Sequence, residues 1–228
     1  MKPLSSEAVS PIASLPQVAK SESPALFSIF LKLEMRACLV VGAGRVAQPK
    51  IESLFASGAR VTVVAPKATD AVQAWAKAGK IHWEARAFAP TDLDGVFLAV
   101  AATSASAVNQ QVFEEARRRN ILVNAVDDPP HCDFYYGSVV RRGALQIAIS
   151  TDGKSPALAQ RLRKEMEQQY GPEYEPWLDE LGRKRQRLFD TNMDAEPRRR
   201  LLHSLASRKS YEEFVRRLGA AENGEDQA

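Results

Sequence analysis

Residues 37–55, ACLVVGAGRVAQPKIESLF, decide the fold. Five apolar residues, Ala37 to Val41, read as a buried strand, and the Gly42-Ala43-Gly44 turn follows at once. Ala47, Ile51, Leu54 and Phe55 then fall at i, i+4, i+7 and i+8, one face of a helix. Strand, glycine turn and helix in that order open a βαβ unit. The turn itself spells GxGxxA, with Gly42 permitting the tight bend and Gly44 letting backbone approach a pyrophosphate. Ala47 allows helix and strand to pack closely, and the exposed N–H groups of the helix start suit an anion. These residues point to a dinucleotide site.

The same alternation continues downstream. Gly58 stops the first helix, and residues 60–65 form a β-branched run that ends at Pro66. A helix is expected over 69–78, strands over 81–85 and 96–101, a helix over 106–119 and a strand over 121–126. Five strands with crossovers predict an α/β fold, a Rossmann-like doubly wound parallel sheet, over residues 25–133. Two short β segments, 134–140 and 145–150, are joined through Arg141-Arg142-Gly143 and predict a hairpin outside that domain. Ser155-Pro156 reads as an N-cap and first helical position, with Leu158, Leu162 and Met166 spaced by four. Residues 134–170 are thus a small β segment leading into a helical arm. Residues 171–218 form a helical C-terminal domain interrupted at Pro172, Pro176 and Pro197, with a frayed end over 219–228.

Composition excludes several classes. A chain of 228 residues can bury about 70% of its unfolded surface, so it needs no disulfide framework. Its 45% hydrophobic and 26% charged residues are ordinary for a globular protein. The longest apolar runs, such as residues 96–102, are far short of the roughly 20 residues of a membrane span. The first 24 residues are rich in Ser and Pro, lack the pattern of a secretory signal and read as a disordered tail. Cys38 and Cys132 form no CxxC pair, which fits a cytoplasmic location. A net charge of +3 does not by itself imply nucleic acid. The segment 183–217 carries eleven Lys or Arg against five Asp or Glu, but few aromatics interleave them, and a solvated helical face is the expectation.

One part of the usual dinucleotide site is missing. A carboxylate about 20 residues past the glycine turn normally binds the ribose hydroxyls, yet Val64-Ala65-Pro66-Lys67 stands there. Backbone groups around Pro66 and Lys67 are the expected substitute. Asn124-Ala125-Val126-Asp127-Asp128-Pro129 lies at the carboxyl end of the last parallel strand, where open α/β sheets bind ligands. Asp127 and Asp128 are candidates for proton transfer, against the alternative that they cap a turn. His131, Cys132 and Asp133 follow, but consecutive residues do not converge easily on one ion, so no metal site is assigned. Ser150-Thr151-Asp152-Gly153-Lys154 leads into a helix start and could receive a carboxylate or phosphate, with Arg141, Arg142, Arg161 and Arg163 as a basic rim.

Four blocks, LVVGAGRVA, GARVTVVAP, VNAVDDP and AISTDGKSPALAQRLR, together resemble the precorrin-2 dehydrogenase family, the siroheme synthase module otherwise found fused to a methyltransferase. The resemblance covers residues 25–189 in order. It implies NAD-dependent oxidation of precorrin-2 to sirohydrochlorin by a homodimer whose hairpin and helical segments cross between subunits. Some members also insert ferrous iron, which makes ferrous ion a second candidate substrate. Residue by residue, the resemblance assigns Gly42, Gly44, Arg45 and Val46 to the pyrophosphate side of NAD, Pro66 and Lys67 to the adenosine side and Thr103 to the nicotinamide ribose. It makes Asp127 the catalytic aspartate and Asn124 a substrate-pocket residue, and it gives Ser150, Thr151, Lys154 and Arg141 a multiply acidic tetrapyrrole to bind. Gln48-Pro49, Asp152 and Tyr136-Gly137 depart from the family pattern, and none of these touches the nucleotide turn or Asp127. Two other readings remain open at this point: an NAD-sensing module without catalysis, and an RNA-binding protein using the basic helices.

Overall fold

The computed structural model describes residues 25–225, with side chains through residue 220, so the expected N-terminal tail lies outside the described residues. Residues 25–31 form a unit by themselves, without regular structure and with exposed side chains.

From residue 32 onward the chain builds a five-stranded parallel sheet. Its strands are β1 (Ala37–Val41), β2 (Arg60–Val64), β3 (His82–Glu84), β4 (Leu98–Ala101) and β5 (Leu122–Ala125). The order β3-β2-β1-β4-β5 changes direction between β1 and β4, which places the topological switch point beside the glycine turn. Helices α1 (Gln48–Ala56), α2 (Asp70–Lys77) and α3 (Ser106–Arg118) form the crossovers. Alternation along the strands makes two cores. Cys38, Val40, Val61, Val63, Leu98 and Val100 face Ile51 and Leu54 of α1 and Val72 of α2. Leu39, Val41, Val64, Ala99 and Ala101 face Val112 and Ala116 of α3 and Leu93 of a short 3-10 turn. Burial on both faces explains why these strands read as continuous apolar runs.

The remaining chain forms an antiparallel hairpin, β6 (Ser138–Arg142) with β7 (Leu145–Ile149), followed by α4 (Pro156–Gln169), α5 (Tyr174–Phe189), α6 (Ala195–Leu205) and α7 (Arg208–Glu225). Ser155 caps α4 by accepting from Leu158 N at 3.2 Å, with Pro156 at the first helical position. Tyr170, Tyr174, Trp177 and Tyr211 cluster edge to face apart from the tilted Tyr174–Tyr211 pair, and Arg217 reaches Glu180 at 3.0 Å, which ties α7 to α5.

Three expectations change in detail. The hairpin starts at Ser138 rather than at 134, because Phe134 O accepts from Asn124 Nδ2 and that stretch belongs to the return from β5. Pro176 and Pro197 do not interrupt helices; each lies in the first turn of one, where a missing N–H costs nothing. Helix α7 runs on to Glu225, past the expected limit at 218.

Candidate functional site

The carboxyl edge of the sheet is a lip of hydrogen bonds. Val126 N donates to Ala101 O at 2.9 Å, Ala102 N to Val41 O at 2.8 Å, Gly42 N to Val64 O at 2.9 Å and Ala65 N to Glu84 O at 3.1 Å. Four of the loops expected to carry function leave from this lip. The glycine turn follows β1, the Pro66-Lys67 loop follows β2, Thr103 follows β4 and Asp127 follows β5.

Gly42 and Gly44 have different reasons. Gly42 has φ +110°, and a Cβ there would meet Ala102 O at 2.4 Å, so it is required for the β1 and β4 loops to pass each other. Gly44 has nothing within 4 Å of a Cβ position. The space in front of it is open, and among the described residues the amides of Gly44, Arg45, Val46 and Ala47 donate to no backbone acceptor. An open approach lined by free N–H groups at a helix start fits a pyrophosphate. Pro49, in the first turn of α1, costs no hydrogen bond. Arg45, Val46, Pro66 and Lys67 are all exposed around this approach.

The Thr103 loop is held by a residue that the sequence reading missed. Asn109 is 9% exposed; its Oδ1 accepts from Thr103 N at 3.1 Å and Thr103 Oγ1 at 2.8 Å, and its Nδ2 donates to Thr103 O at 3.0 Å. The available signal was a polar residue on the apolar stripe of α3, in line with Val112 and Ala116.

Asp127 is exposed at φ +62°, a left-handed conformation uncommon for a residue with a side chain. Among the described residues its carboxylate has no hydrogen-bond or ion-pair partner. Asp128, by contrast, is engaged, with Oδ2 2.7 Å from His131 Nδ1, and the His131 ring packs on Phe113 at 4.6 Å. The adjacent carboxylates therefore divide, one free and one structural. The return from the turn is braced further. Cys132 Sγ donates to Ala125 O at 3.1 Å, and Asp133 accepts from Val123 N at 3.1 Å and Arg117 at 2.8 Å. Burial raises the Cys132 thiol above its ordinary value. Asn124 is 6% exposed and donates from Nδ2 to Phe134 O at 2.8 Å and to Cys132 Sγ at 3.3 Å. It braces the turn from below, and its NH2 is directed to these partners.

In the second candidate cluster, Asp152 and Gly153 are both left-handed, at φ +54° and +71°. Ser150 Oγ accepts from Asp152 N and Thr151 Oγ1 from Ser155 N, each at 3.2 Å. Lys154 N donates to Thr151 O at 2.9 Å, and Lys154 is exposed. The expected basic rim is smaller than its arginine count. Arg142 donates to Tyr170 O at 2.8 Å and Glu167 O at 3.0 Å, closing the end of α4. Arg161 and Arg163 pair with Glu165 and Glu167 one turn on. Arg141 and Lys154 are left without an acidic partner among the described residues. No hydrogen bond, ion pair or ring contact among the described residues joins 150–155 to the glycine turn or to Asp127.

Comparison with known proteins finds relatives for both parts of the chain. Residues 29–138 match a family model described as NAD(P)-binding, and residues 142–169 match one described as the sirohaem biosynthesis protein central segment. Siroheme synthase 1 of Serratia proteamaculans is 43% identical over 139 residues, which cover 61% of this chain and 29% of that protein. Siroheme synthase 1 of Cronobacter sakazakii is 47% identical over 139 residues, covering 61% of this chain and 30% of that one. The chain thus spans under a third of the length of these curated relatives. Among solved structures, SirC, a precorrin-2 dehydrogenase, superposes with a TM-score of 0.72 at 27% identity, covering 86% of this chain and all of that one. Among the described residues, no helix is long and apolar enough to cross a membrane.

Proposed function

We propose that this chain is an NAD-dependent precorrin-2 dehydrogenase of siroheme biosynthesis. The observation that carries the reading is the hydrogen-bonded lip, which sets an open cradle of amides and the free carboxylate of Asp127 on one edge. From β1 across β4 to β5 is two strand spacings, about 10 Å. That span suits a dinucleotide lying from the glycine turn toward β4, with its reactive end near Asp127.

When bound, the nicotinamide supplies the hydride acceptor. The chain does the rest. The amides of residues 44–47 hold the pyrophosphate, and the Thr103 loop, fixed by Asn109, borders the ribose next to the reactive ring. Oxidation of the macrocycle removes a hydride and a proton, and a carboxylate oxygen of Asp127 receives that proton or balances positive charge on a pyrrole nitrogen. Arg141, Ser150, Thr151 and Lys154 bind the carboxylates of the tetrapyrrole.

Because residues 150–155 make no contact with the Asp127 turn in one chain, we assign them to the site of a second copy in a homodimer. Tyr135, Tyr136 and Leu158, 39–42% exposed around the hairpin and α4, support a surface that another copy covers. Sedimentation at micromolar concentration should give twice the mass of one chain; a monomer that turns over precorrin-2 would remove this assignment.

Asp127→Asn tests the reading, because Asn tolerates the left-handed backbone. With precorrin-2 and NAD under anaerobic conditions, NADH formation should fall at least 100-fold while NAD affinity changes less than threefold. Wild-type chain that binds NAD but forms no NADH would favour the non-catalytic sensor. Ferrous ion added after oxidation tests metal insertion as a separate step.

A further inference from the structure

In the bend after β5, Asp127 is the single residue between two pinned amides. On its N-terminal side Val126 N donates to Ala101 O at 2.9 Å, and on its C-terminal side Asp128 N donates to Ala125 O at 3.2 Å. The left-handed φ of +62° is therefore imposed by its surroundings. Whatever holds Asp128 also sets the direction of the Asp127 side chain.

Asp128 is held through His131. Its Oδ2 lies 2.7 Å from His131 Nδ1, and its carbonyl accepts from His131 N at 2.9 Å and from Cys132 Sγ at 3.3 Å. A carboxylate only accepts, so Nδ1 is the donor. Pro129 and Pro130, between the two partners, have φ fixed by their rings, which leaves the closed loop little freedom. His131 is anchored in its turn. Its ring meets that of Phe113 edge to face with centroids 4.6 Å apart, and Phe113 of α3 packs against the core that contains Val112 and Ala116. The next carboxylate in the chain, Asp133, does not compete for His131, because it is engaged by Arg117 at 2.8 Å and by Val123 N at 3.1 Å. A line of contacts thus runs from the α3 core through Phe113, His131 and Asp128 to the backbone of Asp127.

We infer that His131 is a positioning residue for Asp127: its Nδ1–H, clamped on the Asp128 carboxylate, keeps the Asp127 carboxylate in its working orientation without touching substrate or cofactor. The inference rests on the dehydrogenase reading above. A reacting group misplaced by about 1 Å can lose about 100-fold in rate, so the effect falls on turnover more than on binding.

Two substitutions separate the donor from the ring. His131→Asn keeps an N–H at the place of Nδ1 and loses the ring, whereas His131→Phe keeps a ring against Phe113 and loses the donor. With precorrin-2 and NAD under anaerobic conditions, His131→Phe should lower kcat at least tenfold with both KM values within threefold of wild type, and His131→Asn should keep kcat within about threefold. Asp128→Ala cuts the same contact from the other side, so it should match His131→Phe, and the double variant should lose no more. Amide hydrogen exchange reads the turn without turnover: protection at residues 128 and 131 should fall at least tenfold in His131→Phe and be kept in His131→Asn. Undiminished kcat in His131→Phe, equal losses in the two His131 variants, a rise in KM in place of a fall in kcat, or a fall in kcat with unchanged exchange each overturns the inference and leaves the dehydrogenase reading standing. A wild-type chain that forms no NADH overturns both.

Discussion

Replacing the two glycines of the turn one at a time separates architecture from ligand binding. In Gly42→Ala the new methyl carbon would lie 2.4 Å from Ala102 O and 2.7 Å from Ala102 C, both backbone atoms that cannot swing aside. The left-handed φ of +110° adds about 1–2 kcal/mol for any side chain, and forced displacement in a packed region adds about 1–3 kcal/mol. The sum, about 2–5 kcal/mol, is a large share of a stability of about 5–15 kcal/mol. In a chain of this size it lowers the melting temperature by about 5–20 °C. In Gly44→Ala the methyl group meets nothing within 4 Å, so stability should stay within about 0.5 kcal/mol of wild type. That methyl nevertheless occupies the space through which a pyrophosphate would reach the amides of residues 44–47. Urea unfolding followed by circular dichroism, paired with NAD titration calorimetry, should show Gly42→Ala weakened in folding and Gly44→Ala weakened at least tenfold in binding. A Gly44→Ala chain that binds NAD like wild type would refute the cradle. A Gly42→Ala chain as stable as wild type would refute the loop contact.

Asp127→Gly should be more stable than wild type by about 0.5–1 kcal/mol, because glycine relieves the left-handed strain, while losing NADH formation; chemical denaturation beside the dehydrogenase assay checks both. Asp92 carries a pH-dependent contribution. The Arg86 guanidinium, 2.7–2.9 Å from it, and then the Ala89 N–H hold its carboxyl below the usual range, so the stabilisation is present above the unfolded value near 4 and is lost as pH falls through the folded one. With the Asp92 side chain 7% exposed but Arg86 45% exposed and screened by solvent, Asp92→Asn should cost about 1 kcal/mol at pH 7. The difference should shrink below about pH 4, and a pH-independent difference in urea midpoints would contradict the ion pair.

The centre of the sheet was legible because both of its faces are buried: Val40 and Val63 look to one core, Leu39 and Val64 to the other, so β1 and β4 read as apolar runs and β2 as a largely β-branched one, with Gly42 after the first and Pro66 after the last. The glycine turn was legible because its residue types have backbone reasons. Tertiary acceptors were harder to see. Nothing in RRG announces that Arg142 will close α4 across 28 residues to Tyr170 while Arg141 stays free. Asp127 and Asp128 look equivalent in sequence, and only the left-handed bend at the first and His131 opposite the second distinguish them. Asn109 escaped notice because a polar residue among apolar ones reads as noise until Thr103 lies against it.

The lip also behaves as a ruler. Its rungs fix the separation of the Pro66-Lys67 loop, the glycine turn and Asp127, so on the proposed function cofactor recognition involves registration more than rearrangement. On the proposed function, adaptation to a differently shaped macrocycle belongs to the hairpin and to residues 150–155, where changes do not disturb the calibration of the edge.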